Sequence, residues 1–220
     1  MARRPVSIAL VLKSGGEYRR EHVEWLRRQI ELQVDPGVRL FCLSDHVASE
    51  GWVSLKNSLP GWWSKLELCR HDLEGDLLFF DLDTVIVGSL TPLLSVGRTT
   101  FLRDVYRGGQ ALQSSVMYLS AEDRRRVWDL WSVNPAAWMA KHWRDGDQGF
   151  FETAIGDTVA RWQDVLPGVL VSYKADLGGW GRDRIPAKIP PPNTSVVFFH
   201  GRPRPWDVEE PWIPALETAR

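Results

Sequence analysis

The segment Phe79-Phe80-Asp81-Leu82-Asp83-Thr84-Val85 sets two carboxylates one residue apart behind an apolar run. In an extended chain such side chains point the same way. Two close carboxylates repel unless a cation or a proton lies between them. Hard oxygen ligands suit Mn²⁺ or Mg²⁺, and a divalent ion held there can neutralise a leaving diphosphate. A second segment, Val196-Val197-Phe198-Phe199-His200-Gly201-Arg202-Pro203-Arg204-Pro205-Trp206, carries complementary groups. Its apolar run delivers His200, whose imidazole can be a third metal ligand. Gly201 lets the backbone approach a ligand closely, and Arg202 or Arg204 can meet phosphate oxygens. The plainer alternatives are a strand-end turn with solvated acids and a structural histidine. Taken together, the two segments favour a metal and diphosphate site over either.

The elements needed to position these groups can be read from the pattern. Val6–Leu12 is a short apolar run ending in a Gly-rich turn, a buried strand. Tyr18–Leu32 places Val23, Leu26 and Ile30 at helical spacing, and Asp35-Pro36-Gly37 stops it. Val38–Leu43 is a second strand. A strand-helix-strand opening predicts an α/β sheet with parallel strands. Trp62, Leu66, Cys69 and Leu73 mark one face of a further helix. Asp76–Phe80 is a third strand, with Asp81 and Asp83 at its carboxyl end, where ligands bind in open α/β sheets. Thr99–Arg103 and Ala111–Leu119 read as strands. Ser120-Ala121-Glu122-Asp123 resembles a capping box opening a helix through Trp131. Asp147–Ile155 reads as helix, residues 186–192 as a proline-rich loop, and Ser195–Phe199 as a last strand.

Composition narrows the class. The chain has 220 residues, 44% apolar and 25% charged, with a formal net charge of -1. That is room for one sizeable core, and nothing in the bulk charge points to nucleic acid or an anionic membrane. Arg124-Arg125-Arg126 could meet a polyanion but reads first as a solvated helix face. Cys42 and Cys69 in apolar surroundings predict two reduced, buried thiols. No apolar run has membrane-spanning length, and the run after the basic start breaks too early for a signal peptide, so a cytoplasmic location is expected. The 12 tryptophans suit a protein that handles carbohydrate, although any single one reads first as core.

Two families share an acidic strand end. Asp81-Leu82-Asp83-Thr84-Val85 is compatible with haloacid-dehalogenase-like phosphatases, with Asp81 as nucleophile and Asp83 as general acid. Against this, a whole strand-helix-strand unit precedes the motif, Thr84 replaces the usual Gly, and Gly156-Asp157 follows a helical stretch rather than a strand. The acidic pair together with His200-Gly201-Arg202-Pro203-Arg204-Pro205-Trp206 resembles instead the family 8 glycosyltransferases, the glycogenin and bacterial galactosyltransferase group. The resemblance implies that Asp81, Asp83 and His200 bind Mn²⁺ (or Mg²⁺), and that Arg204 stands where the family has a Lys on the diphosphate. Gly201 and Leu82 belong to the same site. Lys65, in Trp63-Ser64-Lys65-Leu66, would take the place of an Arg on donor phosphate or sugar. Gln113-Ser114-Ser115-Val116 is similar to a segment that lines the donor sugar, with Ser115 in place of Gly. Asp147 and Gln148 would lie nearest the transferred sugar. Leu12-Lys13-Ser14-Gly15-Gly16-Glu17-Tyr18 would hold the nucleoside, Tyr18 against the base. Each of these also has a plain reading: Lys65 as a surface charge, Ser114 and Ser115 as satisfiers of strand-end backbone, Asp147 as a helix N-terminal acid.

The expected fold is therefore α/β, a GT-A-like single domain with a mostly parallel mixed sheet flanked by helices. Residues 1–90 would form the nucleotide-binding half and 91–220 the acceptor-side half. The expected partner is a nucleotide-sugar donor, a UDP-sugar by family expectation, with retention of anomeric configuration. The acceptor is open among glycan, small molecule, protein and modified nucleic acid. A phosphatase and a nucleotide-sugar-binding protein without turnover are the alternatives.

Overall fold

The structure, a computed structural model, describes residues 5–46, 50–178 and 188–217. In chain order the elements are β1 (Val6–Leu12), α1 (Arg20–Glu31), β2 (Leu40–Ser44), β3 (Trp52–Ser54), a 3₁₀ helix over Gly61–Cys69, β4 (Asp76–Phe80), β5 (Thr84–Ile86), α2 (Thr91–Leu94), β6 (Thr100–Arg103), β7 (Leu112–Leu119), α3 (Ala121–Val133), α4 (Pro135–Lys141), α5 (Gly146–Ile155), β8 (Ala160–Arg161), α6 (Trp162–Val165), β9 (Leu170–Ser172), β10 (Val196–Phe198) and a 3₁₀ turn over Pro205–Asp207.

Seven strands form one sheet in the order β3-β2-β1-β4-β7-β6-β8. The β3-β2-β1-β4 run is parallel. β7 lies antiparallel to both β4 and β6. The sheet is thus mostly parallel and mixed, as expected. A smaller sheet, β5-β10-β9, sits beyond it. There β10 runs antiparallel to β5, so the strand leading to His200 lies directly against the strand that follows Asp83. This pairing brings two segments more than a hundred residues apart to one place.

The central strands are buried on both faces, which is why they read as continuous apolar runs rather than alternating ones. All five residues of β4 and all eight of β7 are buried. Alternate residues still go to opposite sides. Ile8, Leu10, Leu12, Leu78 and Phe80 meet α1 in one core. Ala9, Leu77 and Phe79 meet the Gly61–Cys69 helix, α3 and α5 in the other. Each fully buried large apolar side chain stabilises by about 1.5–3 kcal/mol over its exposed state.

Several expectations need correction. The stretch holding Trp62, Leu66, Cys69 and Leu73 is a 3₁₀ helix that ends at Cys69. Residues 186 and 187 of the proline-rich loop lie outside the described residues. Arg124 is no solvated face: it is 2% exposed. Its guanidinium donates to the carbonyls of Leu68, Arg70, Leu73 and Gly75 at 2.6–3.1 Å, tying α3 to the loop that enters β4. Gly75 starts that entry at φ +72°, and a Cβ there would fall 2.4 Å from the Pro5 carbonyl oxygen. Cys42 and Cys69 are buried and free. Among the described residues, no helix is long and apolar enough to cross a membrane.

Candidate active site

A cavity of 780 Å³ opens beyond the carboxyl ends of β1 and β4. Its walls include Lys13, Ser14, Gly15, Gly16, Glu17, Tyr18, Lys65, Asp81, Leu82, Asp83, Gln113, Ser115, Gln148, His200, Gly201 and Arg204. A second cavity of 240 Å³ shares Lys65, Asp81, Ser115 and Gln148 and adds Ser114 and Asp147. All the sequence-predicted positions but two therefore line one of these two spaces. Arg202 is exposed and pairs with Glu17 and Asp207 instead, and Leu12 is 1% exposed in the α1 core. Strand parity explains the correction: Val11 and Lys13 face the cavity, so Leu12 faces away.

The two acids stand on a turn rather than an extended chain, since Thr84 N donates back to the Asp81 carbonyl at 3.1 Å. Each meets a cation. Lys65 Nζ lies 2.8 Å from Asp81 and 3.7 Å from Asp147. Arg204 forks between Asp83 and Glu17, and Tyr18 stands beside the two acids in the cavity wall. Burial pushes the Asp81 carboxyl up to about 6; Lys65 opposes that rise and the Asp83 charge adds to it. Burial raises Asp83 as well, against Arg204 and Lys65. Burial works against the Lys65 charge too, but Asp147 and Asp81 outweigh it and hold the ammonium above its ordinary value. The site is a knot of buried opposite charges, costly to assemble and poised to exchange partners.

Asp147 sits in the first turn of α5, 4% exposed, and accepts from Ser114 Oγ at 2.6 Å. The neighbouring Gln148 has a buried Oε1 with no partner. Ser115 is committed to backbone and to Gln113: its carbonyl accepts from Asp81 N at 2.7 Å and its N–H donates to Gln113 Oε1 at 3.0 Å. Gly201 follows β10 at φ +60°, with open space where a Cβ would stand. Tyr18 packs edge-on against His22 and Trp206 and lies 5.4 Å beneath the Arg204 guanidinium.

His200 is held neutral, because burial pushes its pKa down to about 4. Its Nδ1 is 3.5 Å from Gln113 Nε2, and its Nε2 is buried without a partner. An orphaned buried nitrogen calls for a ligand. Two carboxylates and a neutral imidazole around one cavity are the donor types that a Mn²⁺-like ion takes. Among the described residues no three such side chains stand close enough together to hold an ion as placed; Lys65 and Arg204 occupy the carboxylates instead.

Sequence reasoning missed five contributors. Asp45, at the end of β2, accepts from Lys13 Nζ and from Ser14 N and Oγ, and so fixes the Gly-rich loop. Glu17 bonds both Arg202 and Arg204. Lys174 donates to the His200 carbonyl and pins the loop after β10. Asp104 and Tyr106 wall the cavity beside His200. Only Asp45 had a local signal, an acid closing the second strand of the opening unit.

No family model matches the chain, and no curated protein matches it by sequence. Solved structures do. The apo form of the glycosyltransferase GlyE from Streptococcus pneumoniae TIGR4 superposes with a TM-score of 0.63 at 13% identity, over 92% of this chain and 56% of GlyE. The chain thus spans just over half the length of that protein. The galactosyltransferase LgtC, solved with donor and acceptor sugar analogues, superposes with a TM-score of 0.64 at 13% identity, over 91% of this chain and 89% of LgtC. The bifunctional glycosyltransferase WbbM gives a TM-score of 0.58 at 10% identity over 92% of this chain. At such identities the likeness is one of fold, and by that likeness the chain is a GT-A-like α/β protein.

Proposed function

We propose that this protein is a metal-dependent glycosyltransferase that moves a sugar from a nucleoside diphosphate sugar, a UDP-sugar, to an acceptor hydroxyl with retention of configuration. The observation that carries the reading is the convergence of Asp81, Asp83 and His200 with Lys65 and Arg204 around one cavity at the carboxyl end of the sheet, in a fold similar to that of the glycosyltransferase LgtC.

Asp81, Asp83 and the orphaned His200 Nε2 would hold the divalent cation. That ion, when bound, would neutralise charge developing on the leaving diphosphate. Arg204 would release Asp83 and turn to a phosphate oxygen, its fork suiting a tetrahedral anion. The Lys13–Gly16 loop, fixed by Asp45, and Tyr18 would hold the nucleoside end. Lys65 would bridge Asp81 and Asp147 and stabilise charge on the donor as the glycosidic bond breaks. Asp147, fixed by Ser114, and Gln148, with its free carbonyl, would orient the sugar undergoing transfer.

The test is a thermal-shift screen of nucleoside diphosphates and nucleotide-sugars with Mn²⁺, Mg²⁺ or chelator, on the native protein and on Asp83→Ala. A ligand at a hundred times its Kd stabilises by about 2.7 kcal/mol, which for a chain of this size is a shift of about 5–10 °C. The expected result is a Mn²⁺-dependent shift with a uridine diphosphate compound that Asp83→Ala abolishes. A shift indifferent to metal and to Asp83, or no shift with any nucleotide, would overturn the reading.

A further inference from the structure

Trp62 and Trp63 are neighbours with opposite surroundings. Trp63 is buried and stacked on Trp131 at 5.4 Å, whereas Trp62 is 55% exposed. Trp62 lines both cavities described above. Its indole edge is fixed against Gly146, where a Cβ would come 2.5 Å from Nε1 and 2.8 Å from Cδ1. Gly146 stands at φ +61° immediately before Asp147. The indole is therefore seated one residue from the pair proposed to orient the transferred sugar, with much of its surface open to solvent. An aromatic face left bare at the mouth of a polar pocket is a stacking surface.

The smaller cavity also says what kind of molecule suits it. Its wall carries Asp81, Asp145 and Asp147 against Lys65 and Arg144, and Lys65 is already shared by Asp81 and Asp147. An anionic molecule meets net repulsion there. The unpartnered Gln148 Oε1 accepts but cannot donate, so it calls for a donor such as a sugar hydroxyl.

We propose that Trp62 is the platform on which the acceptor lies, and that the acceptor is an uncharged glycoside whose ring stacks on the indole with hydroxyls directed to the Gln148 side. The inference rests on the glycosyltransferase reading and narrows its open acceptor to neutral sugars.

The experiment measures transfer from the donor found in the thermal-shift screen to methyl glucosides, methyl galactosides and methyl N-acetylglucosaminides, with hexose 6-phosphates in parallel. Native protein, Trp62→Ala, Trp62→Phe and Trp143→Ala are compared; Trp143 is 67% exposed and lines neither cavity. At least one methyl glycoside is used, and the phosphates are poor acceptors. Trp62→Ala raises the acceptor KM about tenfold or more while the donor-induced shift persists. Trp62→Phe recovers most of the loss, and Trp143→Ala changes nothing. An acceptor KM unmoved by Trp62→Ala, preference for the phosphates, or failure of every glycoside with a protein that still binds donor would each overturn the proposal. Loss of the donor shift in Trp62→Ala would also overturn it, assigning the indole to the support of α5. Absence of any donor shift in the native protein instead fells the glycosyltransferase reading itself.

Discussion

Asp81→Asn should make the metal-free protein more stable at neutral pH, and by an amount that depends on pH. Asp81 is 24% exposed and its folded carboxyl is pushed from 3.8 to about 6, chiefly by burial. Below about pH 4 the group is protonated in both folded and unfolded chains and contributes no penalty. Between about pH 4 and 6 the unfolded carboxyl ionises freely while the folded one keeps its proton, so the folded state binds more protons and stability falls as pH rises. Above about pH 6 the penalty is complete. A displacement of about two pH units corresponds to about 3 kcal/mol at most. Asp83 is displaced in the same direction and adds to the fall. Asn is the isosteric stand-in for the protonated acid. Urea denaturation in chelator should therefore show Asp81→Asn more stable than the native protein by about 1–3 kcal/mol at pH 7.5, with the gap closing towards pH 4 and the slope with urea unchanged. The same variant should lose the Mn²⁺-dependent nucleotide shift, so that stability is gained where function is lost. A gap that does not vary with pH, or a destabilised variant at pH 7.5, would show that Lys65 offsets the burial of Asp81 completely and that the site stores no electrostatic strain.

Further outcomes follow from the same geometry. Lys65→Met leaves Asp81 and Asp147 without their shared cation and should lower turnover by about 10²–10³; initial rates with the screened donor check this, and a loss under threefold would count against a role in stabilising charge. Arg124→Met strips donors from four carbonyls in the interior. It should cost about 2–5 kcal/mol in urea denaturation; a loss below about 1 kcal/mol would mean water reaches those oxygens. Gly75→Ala combines a left-handed φ with a 2.4 Å contact to the Pro5 carbonyl and should cost about 2 kcal/mol or more by the same assay. An unchanged midpoint would show that the β1–β4 entry yields freely.

What could be read from the sequence is what carries a local signature. β1, β2, β4 and β7 are runs of apolar residues long enough to stand out, and α1 places Val23, Leu26 and Ile30 on one face. β3, β5, β9 and β10 have three residues each and β8 has two. Alternation over so few positions decides nothing, and of these only β10 is legible, because Phe199 lengthens its apolar run. The Gly61–Cys69 segment was typed as an ordinary helix because Trp62, Leu66 and Cys69 fit that spacing, whereas its tighter winding is set by packing against α3 and α5. Arg124 looked like its neighbours Arg125 and Arg126, and only the position of the loop before β4 singles it out.

The site divides along the same line. Asp81 and Asp83 follow an apolar strand and are visible from their own neighbourhood. The pairing of Asp83 is not: Arg204 reaches it across 121 positions and Glu17 across 187, a closure made with the β5–β10 pairing that no local pattern encodes. The contrast has a physical basis. A residue that binds a ligand is placed by the strand or helix that carries it, so its setting is written beside it. A residue that balances charge is placed by the fold as a whole, and any Lys or Arg of sufficient reach would serve. The resemblance in the His200–Trp206 segment points to Arg204 only as a diphosphate ligand; that the same arginine pairs with Asp83 emerges from the fold.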